Sequence, residues 1–208
     1  MVKRCVPFFC HSRDLVYLKE NRYPIVTEKI NEYLESHRKD LDGIYISGGE
    51  PLMHEGVVSF LQYAKTLNYK IKIHTNGMFY ERLKTILLQQ LVDHVSLDIK
   101  NAPSAYAKTC GVEDMNLKDI EKSLSLLKKS LVPYDICVTL VDELHNEATI
   151  QELGQWIQGV DTVILQPFED SETTIDHSLH RPSFEAVLKY KKILEKYVKH
   201  VKIRGNQA

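Results

Sequence analysis

Three short stretches of this 208-residue chain carry side chains able to do chemistry, and each follows an apolar run. Gly43-Ile44-Tyr45-Ile46-Ser47 leads into Gly48, Gly49, Glu50 and Pro51; Ile71-Lys72-Ile73-His74 leads into Thr75, Asn76 and Gly77; Val95-Ser96-Leu97-Asp98-Ile99-Lys100 leads into Asn101, Ala102 and Pro103. Paired glycines let a main chain approach a ligand more closely than a Cβ permits, and a carboxylate beside them can accept from a cation. Asp98 and Lys100 stand two apart on one predicted strand, so their side chains face the same way. Charges turned into a barrel are costly unless paired or bound to a ligand. That leaves a structural ion pair, a binding pair, or an acid/base pair with a tuned lysine. Thr75-Asn76-Gly77 taken alone is a plain turn, and only its position after a strand gives it a site-facing role.

The cysteines divide into two kinds. Cys5 and Cys10, close together near the N-terminus, are candidate metal-binding thiols, against the plainer reading of two loop thiols. Cys110 lies in a polar stretch before Gly111 and receives no role, while Cys137 lies in the apolar run Tyr134 to Leu140 and reads as a small buried hydrophobe. Four cysteines this scattered suggest thiols and not a disulfide scaffold. No partner is evident for His11 or His177.

The elements that must position these groups alternate strand and helix. Residues 1–18 read as a loop, and a helix with Pro24 in its first turn precedes the charged run Glu35 to Asp40. Strands are predicted at Gly43–Ser47, Lys70–His74, Asp93–Ile99, Pro133–Val141 and Thr162–Gln166, and the last helix leads to Val201-Lys202-Ile203-Arg204. Helices are predicted near Val57–Leu67, Tyr80–Leu91, Leu117–Leu131, Glu147–Ile157 and Ser183–Val198, with Asn68 as a C-terminal cap and a loop through Cys110. Asp170 to Arg181 reads as a polar loop suited to a lid or a partner surface. Alternation of this kind argues for α/β architecture, a partial (βα) barrel of parallel strands with its loops converging at the strands' carboxyl ends. The chain opens on a loop that ought to follow a strand, so the first strand appears missing. One domain, 1–208, suits this length. A formal net charge of −1 gives no reason to expect nucleic acid or an anionic membrane, no apolar run is long enough to span a bilayer, and no secretory signal is evident, so the cytoplasm is expected.

The three motifs in this order, followed by Gly111-Val112 and Leu165-Gln166-Pro167-Phe168, resemble the radical S-adenosylmethionine (SAM) enzymes. Within them the likeness is to the activating proteins of glycyl-radical enzymes, particularly the anaerobic ribonucleotide reductase activating group. It covers Cys10 to the end and is most specific from Ile46 to Lys100. Cys10-His11-Ser12, followed by Asp14-Leu15-Val16, resembles the end of the family's Cys-x3-Cys-x2-Cys motif. The other two cysteine positions would be Pro7 and Lys3.

The resemblance implies a [4Fe–4S] cluster with Cys10 and Cys5 as metal ligands, and SAM bound by Gly48, Gly49, Glu50, Pro51, Thr75, Asn76, Asp98 and Lys100. It implies reductive cleavage of SAM to a 5′-deoxyadenosyl radical that takes hydrogen from a glycine of a partner such as anaerobic ribonucleoside-triphosphate reductase. Flavodoxin or ferredoxin would be the electron donor. Relatives often carry Asp where this chain has His74, and no catalytic residue of the chain itself is assigned. Three accounts of the cysteine spacing stand in this order: a displaced start or reading-frame error, a truncated inactive relative, and a cluster completed by a ligand from elsewhere. The functional alternative is a non-catalytic relative that keeps SAM or partner binding. A cofactor-free lyase using Asp98 and Lys100 comes last.

Overall fold

The computed structural model describes Pro7, Phe9, residues 27–172 and residues 174–205. Cys5, Cys10, His11, the helix start at Pro24 and any strand before them lie outside the described residues. Within them, six strands form one sheet in the order of the chain, every neighbouring pair parallel. The strands are β1 (Gly43–Ile46), β2 (Lys70–Thr75), β3 (His94–Asp98), β4 (Tyr134–Leu140), β5 (Thr162–Pro167) and β6 (His200–Ile203). The helices are α1 (Thr27–Ser36), α2 (Val57–Thr66), α3 (Tyr80–Leu88), α4 (Pro103–Thr109), α5 (Lys118–Lys129), α6 (Glu147–Trp156) and α7 (Phe184–Leu194), with one 3-10 turn at Pro51–Met53. This is the partial parallel barrel expected from the alternation.

The register sorts the side chains by face. Ile71, Ile73, Val95, Leu97, Ile136, Val138, Val163 and Leu165 line one side, all at most 1% exposed, and join the helices' buried residues in one core. Burial of each such side chain contributes about 1.5–3 kcal/mol. Alternate positions face the other side: Tyr45, Lys72 and His74; His94, Ser96 and Asp98; Asp135, Cys137 and Thr139; Gln166. Strand residues buried on one face and polar on the other give the period-two pattern legible in the sequence.

Helix ends follow local chemistry. Asn68 takes φ 66° after α2, as its predicted capping role requires, and Gln90 takes φ 54°, which stops α3 three residues before its predicted end at Leu91. Asn146 opens α6 with a reciprocal capping box to Thr149. The predicted loop through Cys110 contains a helix, α4, with Pro103 in its first turn; its seven residues are too few to show helical periodicity. Its end also overturns the expectation of four thiols, because Cys110 is disulfide-bonded and 2% exposed. Cys137 is a free buried thiol, as expected.

Candidate functional site

The ends of β1 and β2 meet through one carboxylate. Glu50 Oε1 accepts from the Leu52 amide at 3.0 Å and from Thr75 Oγ1 at 2.8 Å, while Oε2 accepts from the Asn76 amide at 2.7 Å. A carboxylate offers about four lone-pair sites, so one on Oε2 is left for a ligand. Burial raises the Glu50 pKa above its ordinary value, and the Asn76, Thr75 and Leu52 bonds work against that rise. Glu50 therefore locks the glycine loop to Thr75-Asn76. Arg82 holds the same loop from below by donating to the Leu52 and Met53 carbonyls, each at 2.6 Å. Gly48 sits at φ 119°, a conformation open to glycine, and a Cβ built on Gly49 would meet nothing within 4 Å. The main chain at Gly49 thus borders open space. Gly77, at φ 76°, ends the second loop where a Cβ would lie 2.7 Å from Leu97 Cδ1.

Asp98 and Lys100 form an ion pair through Asp98 Oδ2, the plainest of the three readings left open for them, with His74 Nε2 3.6 Å from the same oxygen. Burial opposes the Asp98 charge, yet the Lys100 charge, joined by His74, holds its carboxyl well below the usual carboxylate range. Asp98 Oδ1 is buried and has no hydrogen-bond partner among the described residues. A buried acceptor left open costs about 1–3 kcal/mol, which a bound donor would recover. His74 is oriented by Tyr45, whose Oη lies 2.8 Å from Nδ1.

Several residues that sequence reasoning did not single out set this mouth. His145 Nε2 lies 3.0 Å from the Lys100 carbonyl, and its Nδ1 lies 3.1 Å from the Val141 amide nitrogen. With Nε2–H donating to Lys100 and Nδ1 accepting from Val141, one neutral tautomer satisfies both contacts. Burial lowers the His145 pKa, consistent with a neutral ring. Asn101, fully buried, donates from Nδ2 to Thr109 Oγ1 at 3.0 Å and to the Leu144 carbonyl at 2.7 Å. Phe9 packs edge-on to Phe168 at 6.5 Å, with Val141, Leu144 and Leu179 around it, and Lys100 Nζ stands 5.5 Å from its ring centroid. Phe168, directly after β5, is therefore an anchor for Phe9. His177, expected to be partnerless, pairs with Asp170 at 2.9 Å. The loop around it is tied to the β4 end by His180 and Glu143 at 2.5 Å.

The structure thus brings Gly48, Gly49, Glu50, Pro51, Thr75 and Asn76 together, and places Asp98 and Lys100 beside them. An open carboxylate oxygen, a lysine and accessible glycine backbone suit a small zwitterion. No group of three His, Cys, Asp or Glu side chains stands ready for a metal among the described residues. Nor is any helix among them long and apolar enough to cross a membrane.

Parallel architecture and convergent strand ends define a class, and the sequence profile of the Radical SAM superfamily matches residues 5–157. The chain belongs to that superfamily. It is 28% identical over 202 residues to a Methanocaldococcus jannaschii protein assigned by inference as a glycyl-radical enzyme activating enzyme, covering 94% of this chain and 82% of that one. It is 24% identical over 165 residues to a GTP 3′,8-cyclase, also assigned by inference, of Thermococcus kodakarensis, covering 77% of this chain and 51% of the relative. A domain of pyruvate-formate lyase-activating enzyme from Bacteroides vulgatus shares the fold with TM-score 0.64 at 19% identity, over 78% of this chain and 99% of that domain. Streptococcus suis SuiB bound to S-adenosylmethionine superposes with TM-score 0.73 at 14% identity, over 97% of this chain and 48% of that one.

Proposed function

We propose that the chain is a radical SAM activase that cleaves SAM reductively to place a glycyl radical on a partner enzyme. The observation that carries this reading is the buried, open Oδ1 of Asp98 beside Lys100, at the mouth of a glycine loop locked by Glu50. The SAM ammonium would be received by backbone oxygens of Gly48 and Gly49, by Glu50, and by Pro51's fixed approach. Its carboxylate would lie near Lys100, and Asp98, Thr75 and Asn76 would take polar groups next to it. Partial burial of Asp98 and Lys100 strengthens their charge-assisted bonds. When bound, SAM and a [4Fe–4S] cluster supply the one-electron chemistry. Cys10 and Cys5 would be cluster ligands.

The M. jannaschii relative's name supports a glycyl-radical enzyme as partner. We take anaerobic ribonucleoside-triphosphate reductase as the specific partner, flavodoxin or ferredoxin as electron donor, one domain over 1–208, and the cytoplasm as location.

Anaerobic reconstitution with iron and sulfide tests the reading. About four irons per chain, with a reduced paramagnetic signal that shifts when SAM is added, is the expected result. A glycyl radical signal on the reductase after incubation identifies the partner, and its appearance only on a different glycyl-radical enzyme reassigns it. The altered cysteine spacing, with Pro7 and Lys3 at two of the family's cysteine positions, supports a second reading, a non-catalytic relative that keeps SAM or partner binding. Folded protein that binds SAM in calorimetry yet holds no iron would establish it.

A further inference from the structure

We propose that His145 and Tyr106 are positioning residues for ligand recognition: they fix the peptide groups on either side of the Lys100 side chain and so aim its ammonium at the SAM carboxylate. This inference rests on the reading of Lys100 as the partner of that carboxylate. β3 ends at Asp98, and the Ile99 amide still donates to the Cys137 carbonyl of β4 at 3.0 Å. Lys100 lies one residue further on, and side chains take over there from the ladder. Its amide donates to Tyr106 Oη at 3.4 Å, and its carbonyl accepts from His145 Nε2 at 3.0 Å.

Both braces are themselves held. Tyr106 is 1% exposed, and its ring stands edge-on to Trp156 of α6 at 5.9 Å. The start of α4 is tied to the same helix, because the Ser104 amide donates to Glu152 Oε1 at 2.9 Å. His145 is 3% exposed. Its Nδ1 accepts from the Val141 amide at 3.1 Å, its own amide donates to the Val141 carbonyl at 3.0 Å, and its carbonyl accepts from Tyr190 Oη of α7 at 2.9 Å. The Lys100 backbone is thus braced from α4 on one side and from the turn after β4 on the other.

Lysine carries its charge on a flexible aliphatic stem, so its ammonium is placed only as well as the backbone from which the stem starts. The Lys100 side chain is 12% exposed and already bonds Asp98 Oδ2. An ammonium has several donors, and those left over serve a ligand carboxylate. Their direction follows from the fixed start of the stem and from the Asp98 bond together. His145 and Tyr106 are buried beneath the mouth, so they act through Lys100 and not on the ligand itself.

Calorimetry on the full-length protein with SAM and with decarboxylated SAM separates carboxylate recognition from the rest of the site. Wild type should bind SAM about tenfold or more tighter than decarboxylated SAM, the share expected of a charge-assisted bond. His145→Asn keeps an acceptor for the Val141 amide and drops the donor to Lys100. It should weaken SAM about fivefold to tenfold while changing decarboxylated SAM less than about twofold. His145→Gln, whose longer amide reaches toward the Lys100 carbonyl, should bring SAM affinity back to within about threefold of wild type. Tyr106→Phe removes a single oxygen and repeats the measurement should the His145 variants disturb folding, as judged by circular dichroism. It should weaken SAM about threefold and leave decarboxylated SAM nearly unchanged. Equal losses for the two ligands in folded variants, or no loss for either, would overturn the proposal and leave the SAM reading in place. Folded wild type that binds no SAM, or binds both ligands equally, would sink the reading of Lys100 and this proposal with it.

Discussion

Asp98 and Asp135 are carboxylates on neighbouring strands, turned to the same interior and held under opposite conditions. Asp135 is saturated: Oδ1 accepts from Ser96 Oγ at 2.6 Å and from the Cys137 thiol at 3.4 Å, and Oδ2 faces His94 Nε2 at 2.7 Å and Lys72 Nζ at 3.3 Å. Asp98 has one oxygen engaged and one buried without a partner among the described residues. A saturated buried charge joins strands β2, β3 and β4, whereas a half-open one keeps bonding capacity for a ligand. Position agrees with this division. Asp98 ends its strand at the mouth, while Asp135 lies near the start of β4, on the floor.

The largest effect that sharpens the contrast is on Asp135. Asp135→Ala should cost about 2–3 kcal/mol in urea unfolding, because it strands Ser96, His94 and Lys72, the last two partly relieved by water. SAM affinity by calorimetry should change less than about twofold, since uniform loss of floor contacts leaves the mouth intact. A tenfold loss of affinity would break the contrast. Asp98→Asn should weaken SAM about tenfold to a hundredfold, as loss of a charged hydrogen bond does, and should also cost about 1–3 kcal/mol in stability, because it leaves the part-buried Lys100 without its counter-charge. Saturating SAM at about 100 times its dissociation constant should then raise the wild-type melting temperature by roughly 5–10 °C and leave the variant nearly unmoved.

Acid titration tests the floor carboxylate directly. Burial opposes charge on Asp135, but bonds from His94 and Ser96 and the Lys72 charge hold its carboxyl below the usual range. A carboxyl lowered in the folded state contributes stability above its unfolded pKa of about 3.9, and that contribution fades as pH falls further. Wild type should therefore lose stability below about pH 4, and Asp135→Asn should flatten that part of the curve; an unchanged slope would show that other carboxylates govern it. The smallest effect is expected from Tyr45→Phe, which removes the bond to His74 from a half-exposed tyrosine. About 0.5 kcal/mol or less should be lost, with SAM affinity nearly constant. A large affinity change there would move His74 from bystander to positioning residue.

Much of this division was legible in the chain. Charges set two apart in an apolar strand, and glycines or Asn-Gly at strand ends, break the period-two pattern, which is why Glu50, Thr75, Asn76, Asp98 and Lys100 stood out. Asp135 carries the same signature inside Tyr134 to Leu140 and could have been read from it. His145, Asn101 and Arg82 could not, because each acts on backbone groups or residues brought near only by folding: His145 reaches Lys100 across 45 residues and Arg82 reaches Leu52 across 30. Phe9 was hidden for a different reason. Its aromatic partner, Phe168, directly follows β5, and no local spacing links them. The helix through Pro103 to Thr109 escaped notice because a seven-residue turn pair has no measurable period.

The Asp135 cluster also has a thermal consequence. Ion hydration becomes less favourable on heating, so the desolvation cost of a buried charge network falls while hydrophobic gain per unit area levels off. The floor beneath the candidate site should therefore hold its relative strength as the protein warms, when apolar layers elsewhere have stopped gaining. Loss of SAM binding on heating would then coincide with global melting, not precede it as a separate, earlier transition.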